Sequence, residues 1–158
     1  MELNDLFGIP AHPLVVHAAV VLLPLGAIAT VIVAALPNAR RHYAPIAFGL
    51  LLIGTIAVGL AQQSGESLED RVAETELVEE HTEQGETVLP WAIAVTAVAA
   101  AVAVAQPLRR RYTQLPANAV TAVLLAAAVV TASGATWTVV EVGHSGAKAT
   151  WENLPGDD

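Results

Sequence analysis

Four long runs of apolar residues alternate with shorter polar segments along the chain. The runs cover residues 14–36, 44–61, 88–105 and 119–140, and none of them contains Asp, Glu, Lys or Arg. Each is close to the roughly 20 residues that a helix needs to cross a hydrocarbon layer. None shows the polar stripe of a soluble bundle helix or the period-two alternation of a half-buried strand. The pattern therefore predicts four membrane-spanning helices.

The predicted fold class is all-α, an integral membrane four-helix bundle that forms one domain over residues 1–158. Hydrophobic residues make up 54% of the chain and the mean hydropathy is +0.56, in agreement with this class. Backbone groups in lipid must be satisfied within their own segment, which also favours helices. The helices are expected at about 13–36, 44–62, 87–106 and 117–142, and the polar connection between the second and third is the acidic segment 63–86.

The basic residues are concentrated in two short loops. Five of the seven lie there, Arg40 and Arg41 between the first two runs and residues 109–111 between the last two. An excess of Lys and Arg marks cytoplasmic loops. All fifteen acidic residues lie elsewhere, nine of them in the acidic segment. We therefore expect a multi-pass protein of the cell inner (plasma) membrane with both termini outside.

The acidic segment is predicted to contain a short helix that begins near Thr75. Apolar residues and His81 fall on one face of this helix, so His81 should face the mouth of the bundle while the glutamates face water. Upstream, Ser67 and Asp70 have the spacing of a capping box, with Asp in place of Glu.

Four of the five histidines flank the apolar runs on the predicted outer side: His12, His17, His81 and His144. His17 should face the bundle interior, because a histidine within the membrane is costly unless it finds a partner. Glu141 and His144 lie one helical turn apart, and residues 145–148 are expected to form a turn after them. His42 lies with the basic residues on the inner side and is expected to be a solvated loop residue.

Three segments resemble a known family. They are Gly-Ile-Pro-Ala-His-Pro-Leu-Val-Val-His at 8–17, the spacing of His81 and Gly85, and Val-Gly-His-Ser-Gly-Ala at 142–147. The chain is similar over its whole length to the bacterial four-helix membrane family called domain of unknown function 2231. The resemblance implies a small integral membrane protein. Some relatives are fused to Rieske iron–sulfur domains, which indicates redox work.

A histidine cluster on one side of a membrane bundle is typical of a cofactor site. The sharpest hypothesis is an electron-transfer subunit with a b-type haem held by two imidazoles. His17 and His144 are the first pair, with His81 as the alternative partner of either and His12 in the same cofactor-binding set. The chain has no cysteine, which excludes disulfides, thiolate-bound iron–sulfur clusters and covalent c-type haem.

Two alternatives stay open beside haem. One is a single transition-metal ion bound by His17, His81, His144 and Glu141, since imidazole and carboxylate combine in mixed sites. The other is a structural or accessory subunit without a cofactor. The chain has no nucleophile elbow, phosphate loop or paired carboxylates inside its apolar runs, so an enzyme is disfavoured.

The expected partners follow from the location of the histidines. The lipid bilayer surrounds the apolar runs. A site confined to the outer side would exchange electrons with a quinol, a Rieske-type protein or a soluble carrier at that face. The net charge of −8 speaks against nucleic acid as a ligand.

The predicted orientation can be tested with single cysteines in this cysteine-free chain. Cysteines at Asn38 and Gln114 should be shielded from an impermeant thiol reagent added to intact cells, because both loops are expected in the cytoplasm. A cysteine at Ser67 should react. Labelling at Asn38 in intact cells would show that the orientation is the reverse of the predicted one.

Overall fold

The structure is a computed structural model. It describes residues 5–6, 9–69, 72, 75–111 and 116–151. These residues form two short strands and five helices. In chain order they are β1 (Asp5–Leu6), β2 (Ile9–Pro10), α1 (Ala11–Ala35), α2 (Arg40–Glu69), α3 (Glu76–Glu86), α4 (Val88–Arg111) and α5 (Ala117–Trp151). The two strands pair antiparallel, with Leu6 opposite Ile9.

Four helical stretches are long and apolar enough to cross a membrane, as the sequence predicted. They are His12–Ala35, Arg40–Glu69, Glu76–Ala105 and Ala117–Trp151. The third stretch begins with α3, which carries five glutamates and therefore lies outside the hydrocarbon. Its membrane-spanning part is the charge-free run 88–105. The membrane helical bundle is thus confirmed, while the side on which the termini lie stays a prediction.

The four long helices form a ring. α1 packs against α2 and α5, and α4 packs against the same two helices. α3 lies across α5 at the end of the ring where α1 begins and where α2 and α5 end. We call this end the histidine end. The core between the helices consists mainly of small and aliphatic side chains, among them Leu23, Leu51, Val95 and Ala135.

Three helices continue beyond their predicted ends: α2 and α5 at the histidine end, and α4, which runs to Arg111, at the other. α2 runs to Glu69, so Ser67 caps no helix and instead donates its hydroxyl to Gln63 O at 3.4 Å. α5 runs to Trp151, so the turn predicted at 145–148 is wrong. Hydropathy marks where a helix leaves the hydrocarbon, but α2 and α5 continue outside it at the end where α3 packs against them. α3 itself confirms the short helix predicted near Thr75, whose hydroxyl accepts the Val78 N–H at 3.3 Å.

Glycines bring the helix axes close together. A Cβ atom on Gly26 of α1 would lie 2.7 Å from Leu51 Cγ and 3.1 Å from Leu51 N of α2. On α2, a Cβ atom on Gly54 would lie 3.1 Å from Leu23 N of α1. Gly134 of α5 supports the indole ring of Trp91 from α4 in the same way, and a Cβ there would overlap the ring. Small residues at helix contacts are a general feature of membrane bundles.

Polar groups inside the bundle are satisfied by nearby carbonyls and hydroxyls. Thr55 of α2 and Thr96 of α4 place their hydroxyl oxygens 2.7 Å apart, and Thr55 also donates to Ala92 O. At the end opposite the histidine end, Arg40 is only 2% exposed and donates to Val33 O and Ala34 O. These carbonyls belong to the last turn of α1, where intrahelical partners run out. Arg40 therefore caps α1 instead of lying free in a loop.

Replacing Gly26 by Ala should destabilise the bundle, because the new Cβ would overlap Leu51 and press on the α2 backbone. Overpacking of this kind costs about 1–3 kcal/mol. The loss should appear as a lower unfolding temperature in detergent. Gly49→Ala is the matched control, since a Cβ there meets nothing within 4 Å. Equal unfolding temperatures for the two variants would contradict the close α1–α2 contact.

Candidate functional site

His12 lies at the start of α1 and contacts the end of α2. Its Nδ1 is 3.0 Å from Ala61 O and 3.1 Å from Ser64 Oγ. A carbonyl oxygen only accepts hydrogen bonds, so Nδ1 carries the proton in this arrangement. Ser64 Oγ donates to the same Ala61 O at 3.0 Å. The ring packs over Gly65, where a Cβ would lie 3.2 Å from His12 Cε1. We call His12, Ala61, Ser64 and Gly65 the His12 cluster.

His81 lies on α3 and contacts the end of α5. Its Nδ1 is 3.1 Å from Ser145 Oγ. That hydroxyl donates to Val142 O at 3.2 Å, which leaves Oγ to accept the Nδ1 proton of His81. The ring packs over Gly146, where a Cβ would lie 2.9 Å from His81 Cε1. We call His81, Val142, Ser145 and Gly146 the His81 cluster. The predicted orientation of His81 toward the bundle is confirmed.

The surroundings of His81 disfavour the charged form of its imidazole. Burial lowers the pKa of His81 below its ordinary value of 6.5, a charge on His12 lowers it further, and the Val142 carbonyl acts in the opposite direction. Both rings are half-buried. The His81 ring is therefore mainly neutral at neutral pH, with one nitrogen protonated and the other carrying a lone pair.

Further contacts hold α3 over the bundle mouth. Gln62 of α2 donates from Nε2 to Gly85 O at 2.9 Å. Contacts between α3 and α5 add to this attachment. The glutamates of α3 are exposed, including the four predicted to be solvated, Glu79, Glu80, Glu83 and Glu86. α3 thus presents an imidazole inward and carboxylates outward.

The remaining histidines are exposed. His17 lies on the outer surface of α1 and its Nδ1 bonds to Pro13 O of its own helix, so the expectation that it faces the bundle interior is wrong. His144 is exposed on α5, one turn after the exposed Glu141. His42 is exposed as expected, although it lies in the first turn of α2 instead of a loop.

An open groove of about 310 Å³ runs between α3 and α5. It is lined by Glu80, Gln84, Val140, Glu141, His144, Ser145 and Lys148. Within the described part of the chain, no three His, Asp or Glu side chains come together in a group that could hold a metal ion. The ligand sets named from the sequence, for haem and for a metal ion, stay predictions.

The sequence analysis missed the groups that hold the two imidazoles. Ser64 and Ser145 are ordinary polar residues in sequence, and their role depends on contacts 52 and 64 residues away along the chain. One signal was available. Ser-Gly occurs at 64–65, 133–134 and 145–146, and the first and last of these lie just beyond an apolar run.

Comparison with known protein families gives one match that covers both clusters. Residues 8–156 match the family described as predicted membrane protein, domain of unknown function 2231. The chain belongs to this family. Comparison with curated proteins and comparison with solved structures give no match. Membership in the domain of unknown function 2231 family confirms the resemblance and the membrane class, and it brings no activity with it.

The attachment of α3 should weaken in acid. Because the pKa of His81 is lowered in the folded protein, its contribution to stability is complete above 6.5 and is lost as the pH falls from 6.5 through the folded value. Hydrogen exchange of the α3 amides, corrected for intrinsic rates, should therefore be faster relative to α4 at about pH 5.5 than at about pH 7.5.

Two variants control this measurement. His81→Gln should remove the pH dependence, whereas His144→Gln, at an exposed position, should preserve it. Unchanged protection of α3 across this pH range in the native protein would contradict the assigned environment of His81.

Proposed function

We propose that this membrane protein binds one b-type haem between His12 and His81 and exchanges single electrons at the histidine end of the bundle. The observation that supports this most directly is the pair of half-buried imidazoles, one from α1 and one from α3, each held through Nδ1. The proposal keeps the cofactor predicted from the sequence and changes the favoured pair of ligands.

The hydrogen bonds at Nδ1 prepare both rings to act as ligands. A ligating histidine usually donates its second ring N–H to a carbonyl or another oxygen, which fixes the tautomer and the ring orientation. His12 Nδ1 donates to Ala61 O and Ser64 Oγ, and His81 Nδ1 donates to Ser145 Oγ. In both rings Nε2 is then the unprotonated nitrogen, the one that can bind iron.

The number of such imidazoles favours haem over a bare metal ion. Zinc sites generally use three or four protein ligands, whereas a porphyrin already supplies four nitrogens and needs two axial ligands. One imidazole in each cluster is held through Nδ1 at the histidine end. No group of three His, Asp or Glu side chains occurs among the described residues. Two axial histidines would complete the coordination of a haem without any further protein ligand.

The location of the pair sets its role in electron transfer. A bound haem supplies reversible one-electron chemistry. His12 and His81 would hold it at one end of the bundle, and the histidine at the other end, His42, is exposed at the start of α2. Transfer would therefore take place with a quinol, a Rieske-type protein or a soluble carrier at the histidine end. The distribution of basic residues puts this end on the outer face of the membrane.

The test is a reduced-minus-oxidised visible spectrum of the detergent-purified protein, expressed with haem supplied and analysed for metal in the same sample. We expect sharp b-type bands in the native protein. His12→Ala and His81→Ala should each abolish them, because either change removes one axial ligand. His42→Ala should leave them intact. Gel filtration and the unfolding temperature of each variant would separate loss of ligation from loss of fold.

Each other outcome has a definite meaning. Bands that survive in His12→Ala but disappear in His17→Ala and His144→Ala would replace the proposed ligands by the pair named from the sequence. Stoichiometric metal without haem bands would favour an ion site. Absence of both would leave His12 as a structural contact between α1 and α2 and His81 as one between α3 and α5, and it would overturn the proposal.

A further inference from the structure

The two histidine clusters have the same construction. In each, a histidine Nδ1 lies 3.1 Å from a serine Oγ, Ser64 in one and Ser145 in the other. Each serine donates to the carbonyl three residues before it, at 3.0 Å and 3.2 Å. Each is followed by a glycine that supports the imidazole ring. Four positions therefore correspond between the clusters: the histidine, the serine, the residue whose carbonyl accepts from the serine, and the glycine.

The helices that carry the clusters correspond as well. His12 begins the hairpin α1–α2, and Ser64 lies near the end of that hairpin. His81 on α3 leads directly into the hairpin α4–α5, and Ser145 lies near its end. Exchanging α1 with α4 and α2 with α5 preserves the ring of helix contacts, because α1 and α4 each pack against both α2 and α5. Both hairpins begin and end at the histidine end, so the axis that relates them is parallel to the helices.

The close contacts inside the hairpins extend the correspondence into the membrane. In the first hairpin Gly54 packs against Leu23, and in the second Gly134 packs against Trp91. Gly54 lies 11 residues before Gly65, and Gly134 lies 12 residues before Gly146. On the partner helices, Leu23 lies 11 residues after His12 and Trp91 lies 10 after His81. Each hairpin thus has one glycine contact about three turns below its cluster.

We infer that the chain is a tandem repeat of one helical hairpin, and that Ser64 and Ser145 are equivalent positioning residues that hold His12 and His81 in the same Nδ1–H tautomer. Parallel repeats related by an axis along the membrane normal are known in membrane proteins. The candidate site is then a single site with approximate twofold symmetry. Such a site fits a ligand that can be bound by the Nε2 lone pairs of two equivalent imidazoles. The identification of that ligand as haem rests on the proposed function, whereas the equivalence of the clusters does not.

The tautomers can be measured directly without any added ligand. The protein labelled with 15N only at histidine, in detergent micelles near neutral pH, gives ring-nitrogen correlations that distinguish Nδ1–H from Nε2–H. We expect His12 and His81 both in the Nδ1–H form. His12→Gln and His81→Gln assign the signals, since each removes one set. Exposed His42 and His144 serve as internal references.

Serine variants test the positioning role. Ser64→Ala should shift His12 toward the Nε2–H form, Ser145→Ala should do the same to His81, and Thr at either position should restore the native spectrum because it keeps the hydroxyl. Ser67→Ala is the matched control, because the Ser67 hydroxyl bonds to Gln63 O within its own helix. It should leave both spectra unchanged.

Opposite tautomers in the native protein, or a serine variant that moves neither histidine, would overturn the inference. The native spectrum decides the first point even if a variant fails to fold. Two Nδ1–H histidines in a protein that binds no haem would refute the proposed function and leave the repeat standing. Haem bands together with opposite tautomers in the haem-free protein would refute the equivalence of the two clusters and leave haem binding standing.

Discussion

Close approach to a helix backbone is the constraint on which this structure depends. Where a glycine removes the side chain, another group can reach the backbone: Gly26 and Gly54 let α1 and α2 approach each other, and Gly134 admits the Trp91 ring. Dispersion contacts of this kind supply much of the stability of a membrane bundle, because the hydrophobic effect does not drive helices together in lipid. At the histidine end, Gly65 and Gly146 also lack a side chain at a close contact, but the group that approaches them is an imidazole ring. They let an imidazole ring lie against a helix and reach its serine and carbonyl.

The polar groups of the bundle divide according to where they find partners. Within the hydrocarbon, Thr30 and Thr138 donate their hydroxyls to carbonyls of their own helices, and Thr55 and Thr96 satisfy each other between α2 and α4. At the histidine end, α2 and α5 continue past the membrane and provide hydroxyls to another element. Ser145 lies five residues beyond the last apolar run, which ends at residue 140, and this corresponds to about 7 Å along the helix. The serine that holds His81 is therefore outside the apolar run of α5, facing a helix that carries glutamates on its exposed side.

The sequence was sufficient for the membrane class, the number of spanning helices and the short helix over the mouth, because these depend on hydropathy and local capping. It was insufficient for the ends of α2 and α5, where a helix continues through tertiary contact after its apolar run stops. The sequence was also insufficient to show which histidines are half-buried and held by other helices. His17 is inside an apolar run, which favoured an interior position, yet its helix turns that side outward. His12 was named with the others, but its contacts with Ala61 and Ser64 join residues about fifty positions apart, and no local pattern encodes them.

A purely structural account of the imidazole pair has a physical difficulty. To attach α3 to the bundle, an apolar side chain over Gly146 would bury area without any polar group to satisfy, and it would be insensitive to pH. The chain instead uses a ring whose protonation is opposed by burial and by a second imidazole, which reduces stability in acid. It also makes the same arrangement of histidine, serine and glycine twice, in two hairpins of different sequence. Local costs that a sequence could avoid are most often retained at sites that bind something. Under the proposed function the Nε2 lone pairs of His12 and His81 would bind the ligand, which would give the repeated arrangement a use that packing alone does not.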